Sequence, residues 1–321
     1  INPVLNCDHS TIVAWIAWVS QSFLSGGASL AVFPGFHGVF IKTNATLITG
    51  AGKDRVNGSS DFYNGIQIDT GGRISTGEGK DLIKGSALAV GTIFDGIYNR
   101  GLINTGEGDD TVRGIGGPEG PPLGSFSEGI YTTGKIKTGA GDDKVLGQSH
   151  SSDGMLVGGR VVTGGGDDAV IGSGPQMDGI EITRGSLINT GEGSDLVTGI
   201  GSVGIRNAGR IKTGIGKDRV NALSGGFAGR GVIDLGKGND TIVGFASKGT
   251  RAGKFEGGKG RDKALLGDGQ YTIEGNILAR SVDGGLMRVN SFEKIGGVNG
   301  GLFNFANGRL TVTGGVATFL V

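Results

Sequence analysis

Apolar residues recur along this chain as isolated aliphatic side chains flanked by polar residues, with glycines between the short segments. Residues 129–147 illustrate the pattern, with Ile130, Ile136 and Val145 as the apolar positions. Alternation over so few residues predicts half-buried β-strands, and the spacing of an amphipathic helix is absent. We therefore expect three short strands per unit, each too short to be stable alone.

The unit recurs around a phrase close to T-G-x-G-x-D-x-V. The aspartates of its nine copies are Asp54, Asp81, Asp110, Asp143, Asp168, Asp195, Asp218, Asp240 and Asp262. Repeats of about 20–50 residues are typical of stacked architectures in which each unit contacts its neighbours. Stacking would place the nine aspartates in one column, about 5 Å apart.

Stacking also predicts three inward ladders of aliphatic side chains. The first is Leu47, Ile74, Ile103, Ile136, Val161, Ile188, Ile211, Ile233 and Phe255. The second is Val56, Ile83, Val112, Val145, Val170, Val197, Val220, Ile242 and Ala264. The third is Val39, Ile66, Ile97, Ile130, Met155, Ile180 and Ile205. Aliphatic residues at these positions are typical of buried parallel strands.

These patterns predict an all-β fold, a single-stranded parallel β-solenoid resembling a right-handed β-helix or β-roll. It would have about nine or more coils of 22–33 residues and terminal caps. We divide the chain into an N-terminal apolar cap or assembly segment (1–37), the repeat solenoid (38–266) and C-terminal coils with a cap (267–321). Residues 8–24 could form a capping helix, with a strand over Ile12–Val19 as the alternative.

Composition excludes several classes of protein. The chain has 70 glycines, yet 36% of its residues are hydrophobic, so it can bury a core. Lys and Arg total 30, as do Asp and Glu, and the two signs are interspersed along the sequence. This balance argues against nucleic acid as a partner. Because no apolar run of about 18 residues occurs, no membrane span is expected.

The repeated phrase resembles the G-G-x-G-x-D-x-U-x nonapeptide of RTX (haemolysin-type) calcium-binding repeats. The closest copies are 164–170 (GGGDDAV) and 236–242 (GKGNDTI). The resemblance covers about residues 47–266 and implies an extracellular protein with Ca²⁺ bound between neighbouring turns. RTX coils carry the nonapeptide twice, whereas this chain has one copy in each longer unit. It is therefore more similar to the degenerate repeats of large cyanobacterial secreted proteins.

Electrostatics also favours a cation, because stacked aspartates repel and Ca²⁺ takes six to eight oxygen ligands. The expected metal ligands are Asp81, Asp109, Asp110, Asp142, Asp143, Asp167, Asp168, Asp195, Asn239 and Asp240. We expect partial occupancy, greatest where two acids are adjacent, as at Asp109 and Asp110. Lys or Arg precedes the aspartate in four other copies and could neutralise the column without metal. Alternatively, each aspartate accepts backbone N–H groups within its own turn.

No catalytic residue is assigned, because the three histidines show neither metal-ligand nor triad spacing. We therefore expect a secreted, calcium-stabilised structural protein at the cell surface, in a matrix or as a filament subunit. End-to-end self-association is the expected contact, and surface polysaccharide is a further candidate partner. The alternatives are an accessory domain of a larger secreted or natural-product enzyme, or a carbohydrate-active β-helix. The last would need a cleft near Tyr63, Tyr98 and Tyr131.

Overall fold

The computed structural model describes residues 38–88, 94–117 and 127–321, together with the backbone of strands at 12–13, 22–23 and 29–32. The described residues form an all-β protein of mostly parallel strands, without a helix. None of these residues forms a helix long and apolar enough to cross a membrane. Apart from Ile12–Val13 and Ser22–Phe23, the expected helix or strand of residues 8–24 lies outside the described residues.

The strands are β1 (Ile12–Val13), β2 (Ser22–Phe23), β3 (Ser29–Val32), β4 (Val39–Ile41), β5 (Thr46–Ile48), β6 (Arg55–Ser60), β7 (Ile66–Ile68), β8 (Arg73–Glu78), β9 (Leu82–Ala87), β10 (Ile97–Asn99), β11 (Leu102–Glu107), β12 (Thr111–Ile115), β13 (Ile130–Thr132), β14 (Lys135–Ala140), β15 (Lys144–Gln148), β16 (Met155–Val157), β17 (Arg160–Gly165), β18 (Ala169–Ile182), β19 (Leu187–Glu192), β20 (Leu196–Asn207), β21 (Arg210–Gly216), β22 (Arg219–Asn221), β23 (Phe227–Ala228), β24 (Val232–Gly238), β25 (Thr241–Val243), β26 (Arg251–Glu256), β27 (Lys259–Gly260), β28 (Lys263–Leu266), β29 (Gly269–Glu274), β30 (Ile277–Arg280), β31 (Leu286–Asn290), β32 (Lys294–Gly297), β33 (Gly300–Asn304), β34 (Gly308–Thr313) and β35 (Val316–Leu320).

Parallel pairing joins each strand to its equivalent in the next repeat and produces three columns. The first column contains β5, β8, β11, β14, β17, β19, β21, β24, β26 and β31. The second contains β6, β9, β12, β15, β18, β20, β22, β25, β28 and β32. The third contains β4, β7, β10, β13, β16, β18, β20 and β23, so β18 and β20 serve two columns.

The three predicted ladders are confirmed. Ile136 pairs with Ile103 and Val161 in the first column, and Val145 pairs with Val112 and Val170 in the second. Every member of the three ladders is at most 5% exposed, and together they form one hydrophobic core. Strand pleating explains this result, because alternate side chains point to opposite faces and an in-register stack preserves the inward set.

The repeat pattern gives way to antiparallel pairing after β28. Strand β29 pairs with β30 and β34, and β35 pairs with β34, all antiparallel. Two strands of this region, β31 and β32, extend the first and second columns by parallel pairing. Tyr271, Ile273 and Leu310 are buried in the same core as the ladders. The region 267–321 therefore packs directly against the last repeats.

Candidate functional site

The nine repeat aspartates form a single hydrogen-bonded file, which we call the inner file. Each is at most 2% exposed. In the first eight, from Asp54 to Asp240, the backbone N–H donates to Oδ1 of the aspartate in the next repeat at 2.8–2.9 Å. Asp143 thus donates to Asp168, and Asp168 donates to Asp195. The prediction that equivalent aspartates lie side by side is confirmed by these bonds. These hydrogen bonds join the backbone of one repeat to a side chain of the next repeat.

The second carboxyl oxygen of the inner file has no hydrogen-bond partner. Oδ2 is buried and unpartnered in eight of its members: Asp81, Asp110, Asp143, Asp168, Asp195, Asp218, Asp240 and Asp262. Only Asp54 differs, because the Thr49 hydroxyl donates to its Oδ2 at 2.6 Å. An ionised oxygen buried without a donor is energetically costly, whereas a protonated carboxyl carries no charge.

Burial accordingly raises the pKa of these carboxyls. It raises the pKa of Asp110 and Asp218 to about 6, and that of Asp168 and Asp240 to about 7. The neighbouring inner-file carboxyls act in the same direction for all four. The accepted N–H bonds lower the pKa in every case and are outweighed by burial. The eight inner-file carboxyls from Asp81 to Asp262 therefore keep their protons to a higher pH than an exposed aspartate does.

A file of threonine hydroxyls runs alongside. In six consecutive repeats, from Thr76 to Thr213, the threonine of the T-G-x-G phrase donates its hydroxyl to the backbone carbonyl of the equivalent residue in the next repeat, at 2.8–3.3 Å. Since each hydroxyl hydrogen is used, the threonine oxygen has lone pairs left to accept a hydrogen bond from a protonated carboxyl. The file ends where Leu235 and Gly257 replace threonine.

The residues preceding the inner aspartates form a separate, exposed outer file. Here Asp109, Asp142 and Asp167 each accept a backbone N–H from the next repeat through Oδ1, at 2.7–3.1 Å. Asn239 accepts the N–H of Arg261 in the same way, at 2.9 Å. Nζ of Lys80 lies 3.6 Å from Oδ2 of Asp109, so a lysine neutralises part of the outer file.

The predicted calcium ligands are therefore divided between two files. Asp81, Asp110, Asp143, Asp168, Asp195 and Asp240 belong to the inner file, whereas Asp109, Asp142, Asp167 and Asn239 belong to the outer one. Asp109 and Asp110 lie in the turn between β11 and β12, where Asp109 is exposed and Asp110 is buried, so the two do not converge on one ion. Each repeat offers one unpartnered inner Oδ2, while Ca²⁺ takes six to eight oxygens. The inner carboxyls alone do not complete a calcium site, and calcium binding stays a prediction.

Two features of the inner file were missed at the sequence level. Glu293 continues it, because its Oε2 accepts the N–H of Asp262 at 2.6 Å although no glycine turn precedes it. A signal was available, since Glu293 stands two residues before Ile295, as each aspartate does before its ladder residue. The threonine also recurs in the sequence, but its hydrogen bonds could be identified only once the stacked repeats were seen.

A second acidic cluster lies in the third column. Carboxyl oxygens of Asp153, Asp178 and Glu181 are within 4.8 Å of one another. Burial raises the pKa of Asp153 to about 7; the N–H that Asp178 donates to Asp153 lowers it, and the charges of Asp178 and Glu181 raise it. Both carboxyl oxygens of Asp178 accept hydrogen bonds from Arg206. Because this guanidinium neutralises one member, the cluster is an internal ion pair rather than an open ligand set.

The tyrosines considered for a carbohydrate-active cleft occupy two places. Tyr98 and Tyr131 stack at 5.1 Å between ring centroids on adjacent strands of the third column. Tyr63 instead contacts Phe94 at 5.2 Å. The three do not form one platform, and we propose no catalytic step for them.

Comparisons with known proteins identify no family for this chain. No model of a known protein family matches the chain, and no curated protein matches it. One solved structure with some likeness is PfbA, a surface adhesin of Streptococcus pneumoniae. The sequences are 9% identical, the alignment covers 94% of this chain and 90% of that one, and the TM-score is 0.26. A likeness this weak supports no conclusion about function.

Proposed function

We propose that the three columns enclose the core as an elongated parallel β-solenoid and that the protein is a structural rod. The observation that carries this proposal is the inner file, which runs without interruption from Asp54 to Glu293. Its nine steps at one strand spacing extend about 43 Å. Every repeat is coupled to the next by buried side-chain bonds, which stiffens the stack.

The setting we propose is extracellular, at a cell surface or in a matrix, with rods joined end to end. The resemblance to secreted repeat proteins supports the setting. Exposed apolar side chains on β33 and β35 support the contact, since Leu302 is 45% exposed, Val316 48% and Leu320 71%. An end surface that meets a different surface of the next copy extends indefinitely and produces a fibre.

Electron microscopy of the purified protein tests this role. We expect fibres one rod wide, lengthening with concentration. Replacing Leu302 and Val316 by Glu should abolish them, because the apolar end would then carry buried charge. The control is Phe62→Glu, which alters an apolar residue at another site that is 64% exposed. Single particles at every concentration, or equal effects of the control, would contradict end-to-end assembly.

Calcium forms no part of this proposal, and a titration tests whether the protein binds it. After chelation, adding CaCl₂ should leave the melting temperature unchanged at both pH 5 and pH 8. A saturable rise would show that calcium binds the folded state. Its loss in Asp168→Asn would then locate the ion at the inner file, and its loss in Asp142→Asn would locate it at the outer file.

A further inference from the structure

In each repeat a turn connects the third-column strand to the first-column strand. Stacking places exposed cations from these turns and from the following strand starts along one corner of the molecule. Strand-initial residues of the first column are in register, and Arg73, Lys135, Arg160 and Arg210 occupy this position. Lys254 and Arg288 continue the same position toward the C-terminal end. All six are exposed.

Three repeats have an apolar residue at the strand start, and each supplies an arginine from the preceding turn instead. Arg100 precedes Leu102, Arg184 precedes Leu187, and Arg230 precedes Val232. These three arginines are also exposed. Nine consecutive repeats therefore each place a cation at this corner, and we call the set the basic file: Arg73, Arg100, Lys135, Arg160, Arg184, Arg210, Arg230, Lys254 and Arg288.

The cations of the basic file are not neutralised by the protein. Within the described residues, Lys254 alone of the nine forms an ion pair, with Glu256. From Arg100 to Val232 neither the turns leading into the first column nor its strand-initial positions contain Asp or Glu. A chain with formal net charge zero thus presents a strip of unpaired positive charge.

We propose that the basic file binds a linear anionic polysaccharide with one carboxylate or sulfate on each sugar residue. The file contains one cation for each repeat, and its eight intervals at one strand spacing extend about 38 Å. An extended polysaccharide carries its charges at a repeat close to that spacing, so successive sugars can meet successive cations. Phosphates of one strand of duplex DNA recur at about 3.4 Å along the helix axis and wind around that axis.

This inference names a ligand, an anionic polysaccharide, for the surface rod of the proposed function. The extracellular setting of that binding rests on the proposed function. Binding itself does not depend on fibre formation. Failure of the fibre experiment with intact polyanion binding would overturn the assembly role alone. Failure of binding with intact fibres would overturn only the inference made here.

The test measures binding of the full chain to polygalacturonate by calorimetry at several salt concentrations. The test variant is Arg160→Gln, Arg184→Gln and Arg210→Gln combined. It should weaken binding by about tenfold or more at 0.15 M salt and reduce the salt dependence by about a third, because three of nine charges are lost. Fully methyl-esterified polygalacturonate, which lacks the charges, should not bind.

The matched control removes the same charge from the second column, through Arg55→Gln, Lys144→Gln and Arg219→Gln, all exposed strand residues. It should bind like the unmodified protein. Equal weakening by the control, or no binding of polygalacturonate, would overturn the proposal. Tighter binding of duplex DNA would assign the file to nucleic acid. Sedimentation showing self-association that only the test variant loses would assign it to a second copy of the chain.

Discussion

Replacing Gly164 by Ala should destabilise the fold severely, by about 3 kcal/mol or more. Gly164 has φ +123°, and a Cβ there would lie 1.8 Å from the carbonyl oxygen of Gly139 in the preceding repeat. That oxygen belongs to backbone held in the first column, so it cannot move aside without breaking the pairing of β14 with β17. Chemical denaturation of the two proteins measures the difference.

Gly165→Ala is the matched control in the same turn. A Cβ at Gly165 meets nothing within 4 Å, and its register partners in adjacent repeats are Ala140 and Glu192. Its free energy of unfolding should remain within about 0.5 kcal/mol of the unmodified protein. If both variants lost similar stability, the close approach of successive turns would not be what constrains this sequence.

Raising the pH from 5 to 8 should lower the melting temperature, the reverse of the usual behaviour of paired carboxylates. The folded pKa of Asp168 and of Asp240 is about 7, above the unfolded value of 3.8. The folded state therefore binds these protons more tightly, so their stabilising effect is complete below about pH 4. It is lost as the pH rises through about 7. Thermal unfolding across this range measures the effect.

Asn substitution separates this cause from other titrating groups. In Asp168→Asn the amide oxygen can still accept the N–H of Asp143, and the amide nitrogen donates where the protonated carboxyl would. The combined variant of Asp168→Asn and Asp240→Asn should lose less stability between pH 5 and pH 8. Asp167→Asn, in the exposed outer file, is the control and should keep the full pH dependence. An unchanged pH profile in the double variant would contradict protonation of the inner file.

Asp168→Ala provides the opposite comparison. It removes the acceptor of the buried Asp143 N–H, and a buried donor without a partner costs about 1–3 kcal/mol. We expect this loss at pH 5, where Asp168→Asn should leave the free energy of unfolding nearly unchanged. Together the two variants separate the stability that comes from the hydrogen bond accepted by Asp168 from the effect of the charge on its carboxyl.

The sequence by itself determined the strand columns and their register. Each repeat has one aliphatic residue for each ladder, and a shift of one residue would expose all of them, so only the in-register stack buries Ile136 between Ile103 and Val161. The file of equivalent aspartates follows from the same register. Antiparallel pairing of β29 with β34 could not be predicted in this way, since no repeated phrase links the two strands.

Only the tertiary structure decided what the charged residues do. Asp109 and Asp110 are neighbours in sequence, yet the turn between β11 and β12 leaves Asp109 exposed and buries Asp110, so they do not form the paired ligand set that the sequence indicated. The interspersed cations argued against nucleic acid as a partner and gave no sign of a basic file, because its members are 20 to 35 residues apart along the chain. Stacking brings Arg160 and Arg184 to the same corner at the distance of one strand. Local patterning fixes which face of a strand is buried, whereas the distribution of charge over the surface depends on which repeats become neighbours.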